Sequence, residues 1–194
     1  MLPNYDKFET DIKQILKSGL NSKLHYHGFH HVIDVLNAAL LIAKKSNLTE
    51  RELLLLKTAV LLHDSGFLRT YHEHEVVGTE IAGEMLPEYG YSSEDIQLIN
   101  GMIMATRIPQ SATNHLEEII ADADLEYLGT EHFDRISEYL YEELMEYNFI
   151  KNRNEWNKIQ VRFIKAHSYF TDFCKKNREE KKQENLDKII KLIK

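Results

Sequence analysis

Apolar and polar residues recur along most of the chain with the spacing of amphipathic α-helices. Only three prolines and eight glycines are present in 194 residues, so few positions force a helix to end. The pattern predicts an all-α fold. The length is enough for one sizeable core, and nothing marks a boundary or linker within the chain, so we expect residues 1–194 to form a single domain.

Capping motifs predict where several of these helices begin and end. Thr49 and Glu52 form a capping box ahead of a long apolar run. Asn114 and Glu117 do the same ahead of HLEEIIADADLEYL, after which Gly129 is the expected stop. The predicted helices span about 28–45, 49–62, 74–86, 94–105, 114–128, 131–148 and 155–173.

The C-terminal segment from Lys175 to Lys194 is crowded with lysine and glutamate. Such a composition is typical of a solvated helix. Ile189, Ile190 and Leu192 would give it a thin apolar stripe. We therefore expect a solvent-exposed terminal helix here.

Composition excludes several classes of function. A formal charge of −7 disfavours contact with an extended nucleic acid, because binding the phosphate backbone needs clustered lysine and arginine. The apolar runs are too short to span a membrane, and the N-terminus lacks the features of a signal peptide, so a cytoplasmic location is expected. A small phosphorylated partner remains compatible, since a bound cation can supply positive charge locally. The sequence leaves open whether the chain forms a homodimer.

A single cysteine, Cys174, excludes an intramolecular disulfide and a cysteine-rich zinc site. Any metal ligands must then be histidine, aspartate or glutamate. Residues 25–31, HYHGFHH, hold four of the ten histidines. His27 and His31 are four positions apart and would share one side of a helix that begins near residue 28. His25 and His30 are expected to be ordinary surface or core residues.

A second candidate lies at the end of the run ERELLLLKTAVLLHD. This run is apolar around most of its circumference, which predicts a helix in the middle of the core. The helix would bring His63 and Asp64 to its carboxyl end, where burying two polar side chains is costly unless they bind an ion. Imidazole nitrogen and carboxylate oxygen suit divalent ions such as Zn²⁺, Mn²⁺, Fe²⁺, Ni²⁺ or Mg²⁺.

The segment IIADADLEYLG supplies a third candidate. Asp122 and Asp124 are two positions apart, so on a helix they point about 160° away from each other and only one can face a given site. The inward one needs a cation or a hydrogen bond. Periodicity alone leaves open which of the two it is.

Together these residues resemble the H…HD…D signature of the HD superfamily of metal-dependent phosphohydrolases. The resemblance covers about residues 24–130. It implies an antiparallel helical bundle in which His31, His63, Asp64 and Asp124 bind a divalent metal ion. Asp124 is preferred to Asp122 because related enzymes place the ligand directly before a segment like LEYLG.

Further resemblances imply roles for residues near these four. The segment YHGFHHVIDVL is similar to a helix start in cyclic-nucleotide phosphodiesterases, which implies that His27 donates a proton to the leaving group. His74 resembles an extra ligand histidine of some HD branches, and here we expect it to bind substrate; Glu75 resembles a glutamate that other branches use in catalysis. The further histidine of six-ligand members is absent, with Thr106 near its place, which argues against a complete dinuclear site.

Arg69 and Arg107 are the basic residues best placed in sequence to hold phosphate oxygens, because a guanidinium group binds them bidentately. The leading hypothesis is hydrolysis of a phosphomonoester or phosphodiester, in a nucleotide or another small metabolite, with catalytic roles for His27, Asp64 and Glu75. One alternative, also drawn from the resemblance, is a di-iron oxygenase of the HD type. Another is a catalytically silent module that senses a nucleotide.

Overall fold

The computed structural model describes residues 3–193, and the regular structure in this range is helical. Ten α-helices lie within it: α1 (Tyr5–Gly19), α2 (Phe29–Ala43), α3 (Glu50–Leu62), α4 (His74–Met85), α5 (Ser93–Ala105), α6 (His115–Asp124), α7 (Phe133–Glu146), α8 (Arg153–Ala166), α9 (Asp172–Asn177) and α10 (Glu179–Ile190). The predicted all-α class is confirmed. None of these helices is both long enough and apolar enough to cross a lipid bilayer.

Helix α3 lies at the centre of the main core. The predicted capping box of Thr49 and Glu52 is present at its start. Its last turn and a half is buried around the whole circumference, with Thr58 through Leu62 fully shielded from solvent. It packs against α1, α2 and α5. The helix therefore brings the two residues after Leu62 into the interior, as its apolar pattern predicts.

Helix α1 was not among the predicted elements. Asn4 caps it, and its buried residues Tyr5, Phe8, Ile12 and Leu16 recur every three or four positions. These side chains join the main core, where α1 packs on α3. The same spacing in the sequence could have predicted this helix.

The helix predicted through residue 128 ends four residues early, at Asp124. A tight helical turn, Glu126–Gly129, follows it. At Gly129 a β-carbon would come within 2.3 Å of the carbonyl oxygen of Arg178. A side chain at this position would therefore push the turn away from the C-terminal helices.

The prediction of one helix over 155–173 is wrong. Helix α8 ends at Ala166, and the chain runs extended until α9 begins at Asp172. The backbone N–H groups of Phe170 and Thr171 donate to the carboxylate of Asp122, both at 2.8 Å, instead of to helical carbonyls. Asp122 thus helps to fix the segment that separates the two helices.

The prediction of a solvated C-terminal helix is also wrong. Leu186 and Ile189 of α10 lie in a second, smaller apolar core with residues of α8 and of the turn 126–129. Even Lys182 is only 1% exposed, and its Nζ donates to the carbonyl oxygen of His167 at 3.0 Å. Helix α10 is therefore a packed element of the fold.

Candidate metal centre

Side chains from three helices converge in the interior of the bundle. His31 lies in the first turn of α2, His63 and Asp64 follow the end of α3, and Asp124 ends α6. We call these four residues the histidine–aspartate cluster. The Nε2 atom of His31 lies 3.1 Å from Asp124 Oδ1 and 3.5 Å from Asp64 Oδ2, and His63 Nε2 lies 3.2 Å from Asp64 Oδ2. The structure thus brings together all four residues that the resemblance implies as ligands.

The donors of this cluster fit a divalent cation. The Nδ1 atom of His63 lies 2.8 Å from the carbonyl oxygen of Val60 and can donate to it, which leaves the lone pair of Nε2 directed into the cluster. His63 Nε2 and Asp64 Oδ2 are buried without a hydrogen-bond partner among the described residues. One donor atom each from His31, His63 and Asp124 lies within 4.8 Å of the others. A bound ion would compensate these buried polar atoms.

Electrostatics agree with such a site. Burial favours the neutral form of Asp124, but the contacts with His31 and His63 outweigh it and lower the pKa of Asp124 to about 2. Burial lowers the pKa of His63, yet the charge of Asp64 and the contacts with Asp124 raise it well above its ordinary value. The two carboxylates therefore attract a positive charge into the cluster, as a proton or as a metal ion.

Asp122, the other candidate aspartate, faces away from the cluster. Its carboxylate is completely buried and accepts hydrogen bonds from the backbone of Phe170 and Thr171 and, at 2.6 Å, from the Thr171 hydroxyl. The opposite orientation of Asp122 and Asp124, expected from their spacing, is confirmed. Asp122 organises the C-terminal segment, and Asp124 belongs to the cluster.

His27 borders the cluster and is held by a carboxylate that sequence reasoning missed. Its Nδ1 lies 2.5 Å from Oε1 of Glu143, a residue of α7 that is fully buried. Glu143 also accepts the backbone N–H groups of Tyr26 and His27, at 2.8 and 3.0 Å, and the hydroxyl of Tyr71 at 2.7 Å. Four donors thus fix one carboxylate, and the carboxylate fixes the ring of His27.

These contacts set the protonation of both groups. Burial lowers the pKa of His27, but the hydrogen bond to Glu143 and the charge of Asp64 outweigh it, so the pKa is raised above its ordinary value. Burial raises the pKa of Glu143, and its hydrogen bond with His27 more than offsets this and lowers it. The Nδ1 atom of His27 is therefore held by Glu143, and both pKa shifts favour a protonated imidazole beside an ionised carboxylate.

His74 and Glu75 begin α4 beside the same cluster. His74 Nε2 lies 3.4 Å from Asp64 Oδ1 and 3.5 Å from Glu75 Oε1. The ring of Phe67 contacts the rings of both His27 and His74, with centroid distances of 4.3 and 4.0 Å. Both predicted residues therefore lie where they can act on Asp64 or on a ligand.

A close backbone contact explains the glycine two residues after the His63–Asp64 pair. A β-carbon on Gly66 would come within 1.9 Å of the carbonyl oxygen of His74. Only glycine lets the turn Ser65–Leu68 lie directly against the start of α4. This contact is what positions His74 next to the cluster.

The structure does not bring the two predicted phosphate-binding arginines to the cluster. Arg69 makes a bidentate contact with Glu84, at 2.6 and 3.1 Å, and is about half exposed. Arg107 donates to Glu73 at 2.9 Å and is similarly exposed. Each guanidinium is paired with a surface carboxylate that lies far from it in the sequence, and sequence proximity to the motifs could not reveal that pairing.

Two cavities adjoin the cluster. One, of about 260 Å³, is bordered by His27, Asp64, His74 and Glu75 and extends between the turn 126–129, α7 and α8. We call it the catalytic cavity. The other, of about 290 Å³, lies across Tyr26 and Tyr127 and contacts the cluster through His31 and Asp124. Only the catalytic cavity has the predicted acid and base groups on its wall.

The chain belongs to the HD domain family, whose pattern it matches over residues 28–194. This range extends well beyond the motif-bearing segment of about 24–130 and includes the C-terminal helices. An uncharacterized protein of Clostridium beijerinckii is 31% identical over 103 residues, which are 52% of this chain. The matched part spans 65% of that relative's length.

Solved structures support the same fold. A predicted HD superfamily hydrolase from an uncultured Thermotogales bacterium superposes with a TM-score of 0.56 at 22% identity, covering 81% of this chain and 89% of the other. Bacillus subtilis YpgQ, crystallised in complex with ADP, gives 0.64 at 21% identity, over 97% and 95% of the two chains. A Lactobacillus plantarum protein gives 0.68 at 15% identity, over 94% and 93%.

Proposed function

We propose that the protein is a metal-dependent hydrolase of phosphoric esters that acts on a small phosphorylated molecule. One arrangement supports this most strongly. His27, fixed as a proton donor by Glu143, borders the same cavity as Asp64 and Asp124 of the histidine–aspartate cluster. A proton donor and a cation site on one cavity are the groups that ester hydrolysis at phosphorus needs.

His31, His63, Asp64 and Asp124 would hold the ion. Two imidazole nitrogens and two carboxylates suit Mn²⁺, Mg²⁺, Zn²⁺, Ni²⁺ or Fe²⁺. When bound, such an ion supplies a Lewis acid that polarises a phosphoryl oxygen and lowers the pKa of water.

Side chains of the site carry out the proton transfers. Asp64 accepts a proton from the attacking water, and His74, 3.4 Å from it, keeps that carboxylate oriented. The water oxygen forms the new bond to phosphorus as the bond to the leaving oxygen breaks. His27 gives its proton to that oxygen, so the alcohol leaves neutral and phosphate remains. Glu75, 3.5 Å from His74, orients the imidazole in turn.

Metal-dependent turnover in the purified protein tests this proposal. The full chain is stripped with a chelator, reloaded with one ion at a time, and screened with phosphomonoesters and phosphodiesters; the ADP bound to the B. subtilis relative makes nucleotides a natural part of the screen. We expect turnover only with a divalent ion. It should fall at least about 100-fold in Asp64→Ala. It should be unchanged in Asp187→Ala, a solvent-exposed control on α10.

Full turnover in Asp64→Ala, or in chelated protein, would count against the proposal.

One observation favours a second candidate, a di-iron oxygenase: His74 lies next to Asp64, where it could serve a second ion. Elemental analysis of protein purified without added metal separates the two. Two irons and an oxygen-dependent spectrum would point to the oxygenase, and one colourless ion to the hydrolase.

A further inference from the structure

The lining of the catalytic cavity becomes mainly apolar with distance from the histidine–aspartate cluster. Beyond His27, Asp64 and His74, its lining is mainly aliphatic and aromatic and comes from the turn 126–129, α7 and α8. Representative members are Leu125, Leu128, Leu144, Trp156, Ile159 and Phe163. Burying an apolar group against such a wall is favourable by about 25 cal/mol per Å² of apolar surface. The structure therefore offers an apolar environment directly next to the proposed reaction centre.

This cavity lacks lysine and arginine side chains that could pair with a long anion. No lysine or arginine is among the described residues that line it, whereas Asp64, Glu75 and Asp124 are. One divalent ion offsets two of these negative charges. A single phosphoryl group can share the ion, but every further phosphoryl group adds unpaired negative charge in a site of low dielectric, which is costly. Arg69 and Arg107 do not line the cavity and are paired with carboxylates at the surface.

The wall also offers few hydrogen bonds to a polar organic group. The hydroxyl of Thr106 donates to the carbonyl oxygen of Ile103, and that of Tyr71 donates to Glu143. Gln160 accepts from Ser137 at 2.6 Å, which leaves only its amide N–H groups. The indole N–H of Trp156, buried without a hydrogen-bond partner among the described residues, is a further donor. A sugar would lose the hydration of several hydroxyl groups here in exchange for these few donors, whereas a hydrocarbon has no such hydration to lose.

The size of the cavity limits the group further. An apolar cavity of about 150 Å³ holds one benzene ring. The catalytic cavity, at about 260 Å³, therefore has room for one or two rings or for a short branched alkyl chain. We propose that the substrate is a phosphomonoester of an apolar alcohol or phenol, with its single phosphoryl group at the histidine–aspartate cluster and its organic group against α7 and α8. This inference rests on the proposed hydrolase function and narrows it.

A matched substrate series tests the inference on the full chain loaded with Mn²⁺. We expect kcat/KM for 1-naphthyl phosphate to exceed that for glycerol 3-phosphate and for ADP by at least about tenfold each, because one buried methylene alone is worth about 10–200-fold in an apolar pocket. Binding gives a second readout. In calorimetry, phenylphosphonate, whose carbon–phosphorus bond resists hydrolysis, should bind at least about tenfold more tightly than methylphosphonate.

A positive charge in the apolar lining of the catalytic cavity should reduce the preference for an apolar substrate. Ile159, on α8, is partly buried, so a lysine there can be accommodated with its ammonium in the cavity. In Ile159→Lys we expect the preference for 1-naphthyl phosphate over ADP to shrink at least about tenfold. Leu98→Lys, on an exposed position of α5 outside the cavity, is the matched control and should keep the preference.

The outcomes separate this inference from the function on which it rests. Hydrolysis that favours ADP or glycerol 3-phosphate over the aryl ester would overturn the inference and leave the hydrolase intact. Equal binding of phenylphosphonate and methylphosphonate would overturn it as well. Absence of turnover for every ester with every ion would overturn both.

Discussion

Two aspartates separated by one residue serve different parts of the molecule. Asp124 contacts His31 in the histidine–aspartate cluster, and Asp122 accepts three hydrogen bonds from Phe170 and Thr171. Helical geometry predicts that the two side chains point in different directions. It cannot predict which of them contacts the histidines of the cluster, because that depends on how α6 is rotated about its axis relative to α2. The family resemblance identified Asp124, and the coordinates place it in the cluster.

Replacing each aspartate by asparagine should separate the two roles. Asp124→Asn removes an anionic donor, so we expect weaker metal binding, by about 10-fold or more, with the fold retained. Asp122→Asn should bind metal normally but lose about 1–3 kcal/mol of unfolding free energy, because an amide N–H would face the buried backbone donors. Metal titration and urea unfolding of both variants check this. Equal loss of metal in the two would contradict the assignment.

Glu143 could not be found from sequence. It lies in YEELMEY among similar glutamates, such as Glu142 and Glu146, and nothing in the periodicity distinguishes it. Only the packing of α7 against residues 26–27 reveals that this carboxylate is fully buried and bound by four donors. His27, in contrast, was singled out because it lies four positions before His31, and the resemblance to phosphodiesterases implied its role as an acid.

The variant Glu143→Gln tests the role of this contact. His27 must be protonated to act as an acid, so activity falls as pH rises through the pKa of His27. Removing the charge of Glu143 lowers that pKa, and the alkaline fall in kcat should move to lower pH. We also expect kcat to fall about 10–100-fold, while metal content stays unchanged. An unshifted pH profile would mean that Glu143 serves only packing; Glu142→Gln, at an exposed position on the same helix, is the control.

At the scale of helices, apolar spacing predicted the position of a helix correctly where one face of the helix is buried or where the whole helix is buried. Helix α3 is the clearest case, from its capping box to its buried end. The pattern failed at α10, where Lys182 and Asn185 are each 1% exposed although their side chains are polar. Their burial is stabilised by hydrogen bonds to the carbonyl oxygens of His167 and Leu128, which come from other elements. No local pattern can encode such partners.

Adjacent isoleucines on α10 offer a direct test of its packing. Ile189 is 5% exposed in the second core, and Ile190 is 40% exposed. We expect Ile189→Ala to lower the free energy of unfolding by about 2–5 kcal/mol through loss of contacts and the cavity left behind. Ile190→Ala should change it by about 0.5 kcal/mol. Equal effects in chemical denaturation would mean that the tail is solvated in solution.

At the scale of the molecule, the histidine–aspartate cluster joins α2, α3 and α6. An ion held there would bind the folded state and not the unfolded chain, and so would stabilise it by about 2.7 kcal/mol at a concentration 100 times its Kd. For a protein of this size we expect the melting temperature to rise by about 5–10 °C when metal is added to stripped protein. Differential scanning calorimetry measures the shift. A melting temperature independent of metal would argue against a site within the bundle.

The bond between His27 and Glu143 also has a consequence for how the protein is made. The two residues are separated by 116 positions, and the chain leaves the ribosome from its N-terminus. The first histidine motif therefore emerges long before the carboxylate that orients it. Until α7 has been synthesised and docked, a nascent chain can hold every residue of the H…HD…D signature and still lack the contact that orients His27.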